Sequence, residues 1–293
     1  MAFLRERSGA WSTVKVAAFT GTLLPAVWFV YRILADDLGP RPVTEAIHFT
    51  GDWTVRLLWI TLAITPAARI FKQPAWLLPR RILGVAAFAY IFAHFSLYVV
   101  DQKFALATVA SEIALRFYLT IGFVALSGLA VLAATSTDGM IRRLGPRWIT
   151  LHRAVYFIAV LAAIHFLLQT RNDVTEPIIM VGLLLWLFGY RLMQRRWRNP
   201  SPLQLAALAL AAGALTGPIE ALWYHFRSNV PLARIFLANF DFSYVIRPMW
   251  WVTAAGLAVA MAAAAWQRRP QRTTPRRTAA RPASGATQAQ SAS

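Results

Sequence analysis

Leu83 to Val100 is a run of 18 consecutive uncharged residues, and the chain contains other apolar stretches on the same scale. Crossing a ~30 Å hydrocarbon layer takes roughly 17–25 such residues as a helix. In lipid every backbone N–H and C=O must find a partner within the protein, which leaves only helices and closed barrels. The stretches are Val16 to Tyr31, Leu57 to Ala68 extended back through Trp53, Leu83 to Val100, Phe117 to Thr137, Ala154 to Thr170, Pro177 to Tyr190, Pro200 to Ile219 and Pro248 to Trp266. None alternates apolar and polar residues as a barrel strand does. The predicted fold is therefore all-α, a polytopic membrane bundle of eight helices, with the second and sixth the shortest. At 58% hydrophobic and 14% charged residues, the chain is too apolar for a soluble domain.

A net charge of +18 would suggest nucleic acid in a soluble protein, so the placement of the charges matters more than their sum. With the N-terminus in the cytoplasm, 21 of the 30 basic residues lie in cytoplasmic segments and 10 of the 12 acidic ones lie opposite. The positive-inside rule then puts both termini in the cytoplasm. The basic excess is topology and membrane-lipid contact, and no nucleic-acid partner is expected. Arg5 and Arg7 precede the first run as they would in a secretory signal. That run is rich in large residues, however, and ends at YRILADD without a small-residue cleavage site, so it reads as a span. Cysteine is absent, which excludes disulfides, cysteine-held iron–sulfur clusters and a C-x-x-C-H haem attachment.

The connections FKQPAWLLPRR and STDGMIRRLGPRW are short and broken by Pro or Gly, as expected between antiparallel neighbours of a compact bundle. After Arg198 the composition shifts to Ala-rich stretches separated by about 30 residues that contain His225, Arg227 and Asp241; His225 reads as a loop histidine. The residues after Trp266 are rich in Arg, Pro, Ser and Thr and poor in apolar residues, the composition of a disordered basic tail. The expected organisation is a transmembrane core over 1–198, an extension with two further spans over 199–266, and a tail over 267–293.

An ionisable residue inside a spanning helix is costly and marks a candidate site. His94 lies in the third run, His165 in the fifth, and His152 opens the fifth, in WITLHRAVYFIAVLAAIHFLLQ. The third and fifth helices run in the same direction, so His94 and His165 fall at similar depth, towards the periplasmic face, where they could clamp one metal. Two imidazoles with no carboxylate or thiolate nearby suit the axial positions of a haem better than zinc, which takes a third or fourth protein ligand. The alternative is that each histidine merely hydrogen-bonds a neighbouring helix. His152 lies thirteen residues before His165, which at 1.5 Å per residue is roughly 20 Å along the axis and, at about 100° per residue, roughly 140° around it. Both can face one groove only if the helix is locally distorted, for instance by a π-bulge; otherwise His152 is an interfacial histidine. Arg80 and Arg81 stand at its depth on the third helix. His48 and Arg56 flank the periplasmic start of the second helix; Arg56 could pair with a haem propionate or snorkel to the interface.

The stretches LLPAVWFVYRI, IHFTGDWTVRLLWITLAITPAAR, PRRILGVAAFAYIFAHFSLYVVD and TSTDGMIRRLGPRWITLHRAVYFIAVLAAIHFLL together resemble, over about residues 11 to 198, the MsrQ (YedZ) family within the ferric-reductase-like transmembrane superfamily. Members of that family are haem-binding membrane subunits of a bacterial methionine sulfoxide reductase system. The resemblance implies haem b, with His94, His152 and His165 matching the family's histidines, and FMN. It implies a periplasmic, molybdopterin-containing MsrP-like catalytic subunit as electron acceptor, a quinol or a cytoplasmic flavin reductase as donor, and the bacterial inner membrane as location. The last 95 residues depart from the family's six-helix core. No G-x-G-x-x-G follows a strand and no soluble domain is large enough for a nicotinamide nucleotide, so the chain reads as a relay that receives its electrons from another protein or a quinol. The competing readings are a ferric or quinone reductase without such a partner, and a transporter using intramembrane histidines; against the latter, no carboxylate falls within a well-defined span.

Overall fold

The computed structural model describes residues 4–5, 10–170 and 173–268, which include only the first two residues of the expected tail. Twelve α-helices follow one another among the described residues, with no β-strand: α1 Thr13–Leu34, α2 Pro42–Ile70, α3 Arg80–Asp101, α4 Leu106–Leu115, α5 Phe117–Ala134, α6 Asp138–Leu144, α7 Pro146–His152, α8 Val155–Gln169, α9 Thr175–Arg196, α10 Pro202–Ser228, α11 Leu232–Ala238 and α12 Pro248–Gln267. A short 3-10 turn over Pro74–Leu77 leads into α3. The chain is an all-α polytopic membrane protein, as the sequence predicts.

Among the described residues, seven helical segments are long and apolar enough to cross a membrane: Thr13–Leu34, Pro74–Asp101, Phe117–Ala134, Pro146–Gln169, Thr175–Arg196, Pro202–Ser228 and Pro248–Gln267. The second expected span forms as α2 but is not among these seven. Its 29 residues include Glu45, Asp52, Arg56 and Arg69, and three of the four have partners: Glu45 binds Arg32 of α1 at 3.1 Å, Arg56 binds Glu176 of α9, and Arg69 donates to Gln194 of α9. Its apolar face is among the most buried in the molecule, with Leu57, Leu58, Trp59 and Leu62 packed inside. A helix shielded by its neighbours tolerates charges that a lipid-facing one would not.

Two closely packed helix pairs build the core, α2 against α3 and α5 against α8. The α9 helix ties them together through side chains that satisfy backbone groups of α2. Pro66 lies inside α2 and has no N–H, so the carbonyl of Leu62 lacks its helical donor. Arg191 of α9 supplies one, donating from Nη2 at 2.7 Å while its Nη1 holds Leu187 O at 2.8 Å. Trp59 Nε1 returns the contact, donating to Met180 O of α9 at 2.8 Å. The extension packs α10 on α12, and both on α9.

Three features differ from the sequence reading. The connection after α5 holds two short helices, α6 and α7, joined at Gly145 with φ +52°. A further apolar helix, α4, fills part of the link from α3 to α5. The α10 helix continues past Ile219 to Ser228, so His225 and Arg227 occupy its last turn rather than a loop. That extension also places Glu220 inside a long apolar helix, 1% exposed and paired with Arg247 at 3.1 Å. The expectation of spans free of carboxylates therefore fails here, because Arg247, just before α12, neutralises the charge.

The α6 segment is fastened to α3 by an ion pair between Asp138 and Arg81. The Arg81 hydrogen bond and charge hold the Asp138 carboxyl below its ordinary value of 3.8. A lowered folded-state value contributes stability above the ordinary value and loses it as pH falls through the folded value. Protease cleavage within 138–144 should thus rise on acidification below about pH 3.8, and Asp138→Asn should show that raised cleavage already at neutral pH. A cleavage profile unchanged by the substitution would contradict the fastening.

Candidate functional site: a paired-histidine centre

His94 of α3 and His165 of α8 face each other with ring centroids 6.4 Å apart and ring planes at 89°. Each ring is held by its Nδ1, which lies 2.8 Å from Ile47 O of α2 for His94 and 2.7 Å from Tyr118 O of α5 for His165. A carbonyl can only accept, so Nδ1 carries the proton in both rings and Nε2 presents a lone pair. A metal–imidazole bond of about 2.0–2.1 Å, with about 1.1 Å more from nitrogen to centroid, puts two imidazoles on opposite sides of one metal roughly 6.3 Å apart. The observed spacing fits a single ion between them. Among the described residues no group of three His, Cys, Asp or Glu gathers around one point, so such an ion would need equatorial donors of its own, as iron in a porphyrin has.

His152 stands elsewhere. It ends α7, stacked on Trp148 at 3.8 Å between centroids, with Nδ1 3.1 Å from Trp148 O and Nε2 3.3 Å from Ser136 Oγ. The helix is distorted between His152 and His165, by a tightened turn rather than a π-bulge, and not enough to bring both to one groove: Arg153 N reaches Thr150 O, Ala154 N reaches Leu151 O and Tyr156 N reaches Arg153 O, all at 3.0–3.2 Å. Each 3-10 step adds about 20° to the ordinary 100°, narrowing the angular gap from about 140° to roughly 80°. His152 lines a cavity of about 610 Å³ with Arg80, Arg81, Arg191, Trp148 and Tyr156, a volume in the range of cofactor pockets. Arg153 adds a further cation, and none of the described residues lining the cavity is acidic. Arg191 lies over the Tyr156 ring at 5.0 Å.

Arg56 forks through Nε and Nη2 onto Glu176 Oε1 at 2.9 and 2.6 Å and lies over Trp53 at 5.2 Å. His48 follows Ile47, the residue whose carbonyl holds His94, and is exposed. His225 Nδ1 lies 3.0 Å from Val230 O, just past the end of its helix.

A family model described as the ferric reductase like transmembrane component matches residues 50–163, a span that includes His94 and His152 and stops two residues before His165. The protein-methionine-sulfoxide reductase heme-binding subunit MsrQ of Rhodospirillum rubrum is 40% identical over 204 residues, which cover 67% of this chain and 96% of that protein. The chain belongs to the MsrQ family. The MsrQ of Agrobacterium fabrum is 37% identical over 173 residues, 59% of this chain and 80% of its own. No solved structure matches.

Within this MsrQ-family chain the structure brings His94 and His165 together and sets His152, Arg80 and Arg81 around a separate cavity. The sequence reading left Arg191 and Tyr156 out of that cavity. The signal for Arg191 was a lone arginine in the apolar stretch LLLWLFGYRLM, beside a helix with an internal proline.

Proposed function

We propose that the chain is a haem b electron-transfer subunit, carrying single electrons across the bacterial inner membrane to a periplasmic, molybdopterin-containing MsrP-type subunit that reduces methionine sulfoxide. The observation that carries this reading is the 6.4 Å imidazole pair with both Nδ1 atoms engaged, set beside relatives named as heme-binding subunits. The haem supplies one-electron redox chemistry when bound. The chain supplies two axial nitrogens of fixed tautomer, an apolar shell and the carbonyls that make the imidazoles more basic. Arg56, with Nη1 uncommitted, and the exposed His48 are proposed contacts for the propionates, since a guanidinium matches a carboxylate.

Electrons enter, in this reading, at the cavity of His152, Arg80 and Arg81. Its cations and aromatic walls suit an anionic aromatic cofactor such as FMN, or the head group of a quinol, and the family resemblance names a quinol or a cytoplasmic flavin reductase as donor. His152 is held as a contact there, or as a ligand once its link to Ser136 is given up. The arginines around this cavity and the acids of α2 and α9 at the opposite end support both termini being cytoplasmic. Residues 1–198 form the electron-carrying core and 199–266 a two-helix addition to it.

The test is direct. The purified chain, reduced without oxygen in lipid nanodiscs, should show haem reoxidation only when an MsrP-type subunit and a peptide methionine sulfoxide are both added. A reduced haem band that persists with both present would defeat the assignment of the partner.

A further inference from the structure

The two histidines are seated by the same backbone device. In both cases the Nδ1 acceptor lies 47 residues earlier in the chain, on the preceding helix of the hairpin, and in both the residue four places after that acceptor is glycine: Ile47 and Gly51 on α2, Tyr118 and Gly122 on α5. Helix geometry explains why. The carbonyl of residue i already accepts the N–H of residue i+4, and the Cβ of residue i+4 leans back toward the N-terminus, over that carbonyl. A ring approaching the carbonyl from the side enters the space that this Cβ would fill. A Cβ built at Gly51 would stand 3.0 Å from His94 Nδ1 and 3.1 Å from Cε1; one built at Gly122 would stand 2.7 Å from both Nδ1 and Cε1 of His165. By contrast, a Cβ at Gly21 on α1 would meet nothing within 4 Å.

We propose that Gly51 and Gly122 are positioning residues: each lets a histidine of the facing helix lie against bare backbone, which fixes the direction of Nε2 and the crossed orientation of the two rings. The proposal rests on the reading of His94 and His165 as axial ligands. Neither glycine touches the metal, so its effect must pass through the ring it seats. A methyl group at either position pushes the ring off its carbonyl, weakens the Nδ1–H bond that makes Nε2 basic, and turns the ring plane. The two sites differ in severity: at 2.7 Å the His165 ring must move, whereas at 3.0–3.1 Å the His94 ring needs to give only a few tenths of an ångström.

Full-length Gly51→Ala, Gly122→Ala and, as a control, Gly21→Ala are purified with haem and compared in haem per chain, midpoint potential and the ferric electron paramagnetic resonance spectrum. The control should match the parent in all three. Gly51→Ala should keep its haem but show a shifted potential and an altered low-spin signal, because crossed imidazoles give a highly anisotropic spectrum that changes as a ring turns. Gly122→Ala should lose most of its Soret absorbance per chain. Parent-like potential and resonance spectra in both glycine variants would overturn the proposal, and so would failure of Gly51→Ala to fold, since its contact asks only a small shift. His94→Ala and His165→Ala separate the two levels: if they keep haem, the ligand reading fails; if they lose it while the glycine variants stay parent-like, only the seating proposal fails.

Discussion

His94→Ala and His165→Ala should each remove most of the Soret band of the purified protein, whereas His152→Ala should retain it with at most a smaller or different change. The contrast follows from the side-chain environments. The rings of His94 and His165 stand at the separation of two imidazoles on one ion, each with its Nδ1 already spoken for. Both nitrogens of His152 have partners within its own wall. Deleting either member of the pair leaves an iron with one protein ligand, and among the described residues no group of three His, Cys, Asp or Glu is available to hold it instead. Absorbance normalised to protein checks this, and equal loss in all three variants would mean that His152 belongs to the same centre.

Gly213→Leu should be the most damaging change in the extension. The Cβ of residue 213 would overlap Thr253 Oγ1 and come within 2.9 Å of the backbone oxygen of Met249 on α12, and backbone cannot yield as a flexible side chain does. Overpacking usually costs about 1–3 kcal/mol, and a clash with backbone belongs at or above the top of that range. The same close approach recurs at Gly256, where a Cβ would lie 2.5 Å from Ala209 Cβ. Small residues that let helix backbones meet replace the hydrophobic effect as the driving force within a bilayer. Thermal unfolding in detergent should show a markedly lower midpoint for Gly213→Leu, with Gly21→Leu, on an open surface of α1, close to the parent. Equal midpoints would contradict the tight α10–α12 seam.

Much of the site could be read in the sequence because lipid makes polar residues conspicuous. His94 stands alone in a run of apolar residues, and the direction of successive helices put His165 beside it. What the sequence hid was backbone. The glycines under the rings look like ordinary small residues until a facing ring is known. The tightened turn between α7 and α8 contains Arg153 and Ala154, with neither proline nor glycine to announce it. Helix ends were misjudged wherever a charge marked an apparent boundary. The α10 helix runs on through Glu220 because Arg247 answers it, and α2 begins before Trp53, at Pro42, carrying Glu45 because Arg32 answers it. In both places a distant partner outweighed local polarity.

The most direct measurement is near-infrared magnetic circular dichroism of the ferric protein, which distinguishes two axial imidazoles from an imidazole paired with water or a thioether. A bis-imidazole signature that disappears in both His94→Ala and His165→Ala is the predicted result. A mixed-ligand signature in the parent protein, or a bis-imidazole signature that survives either substitution, would contradict it.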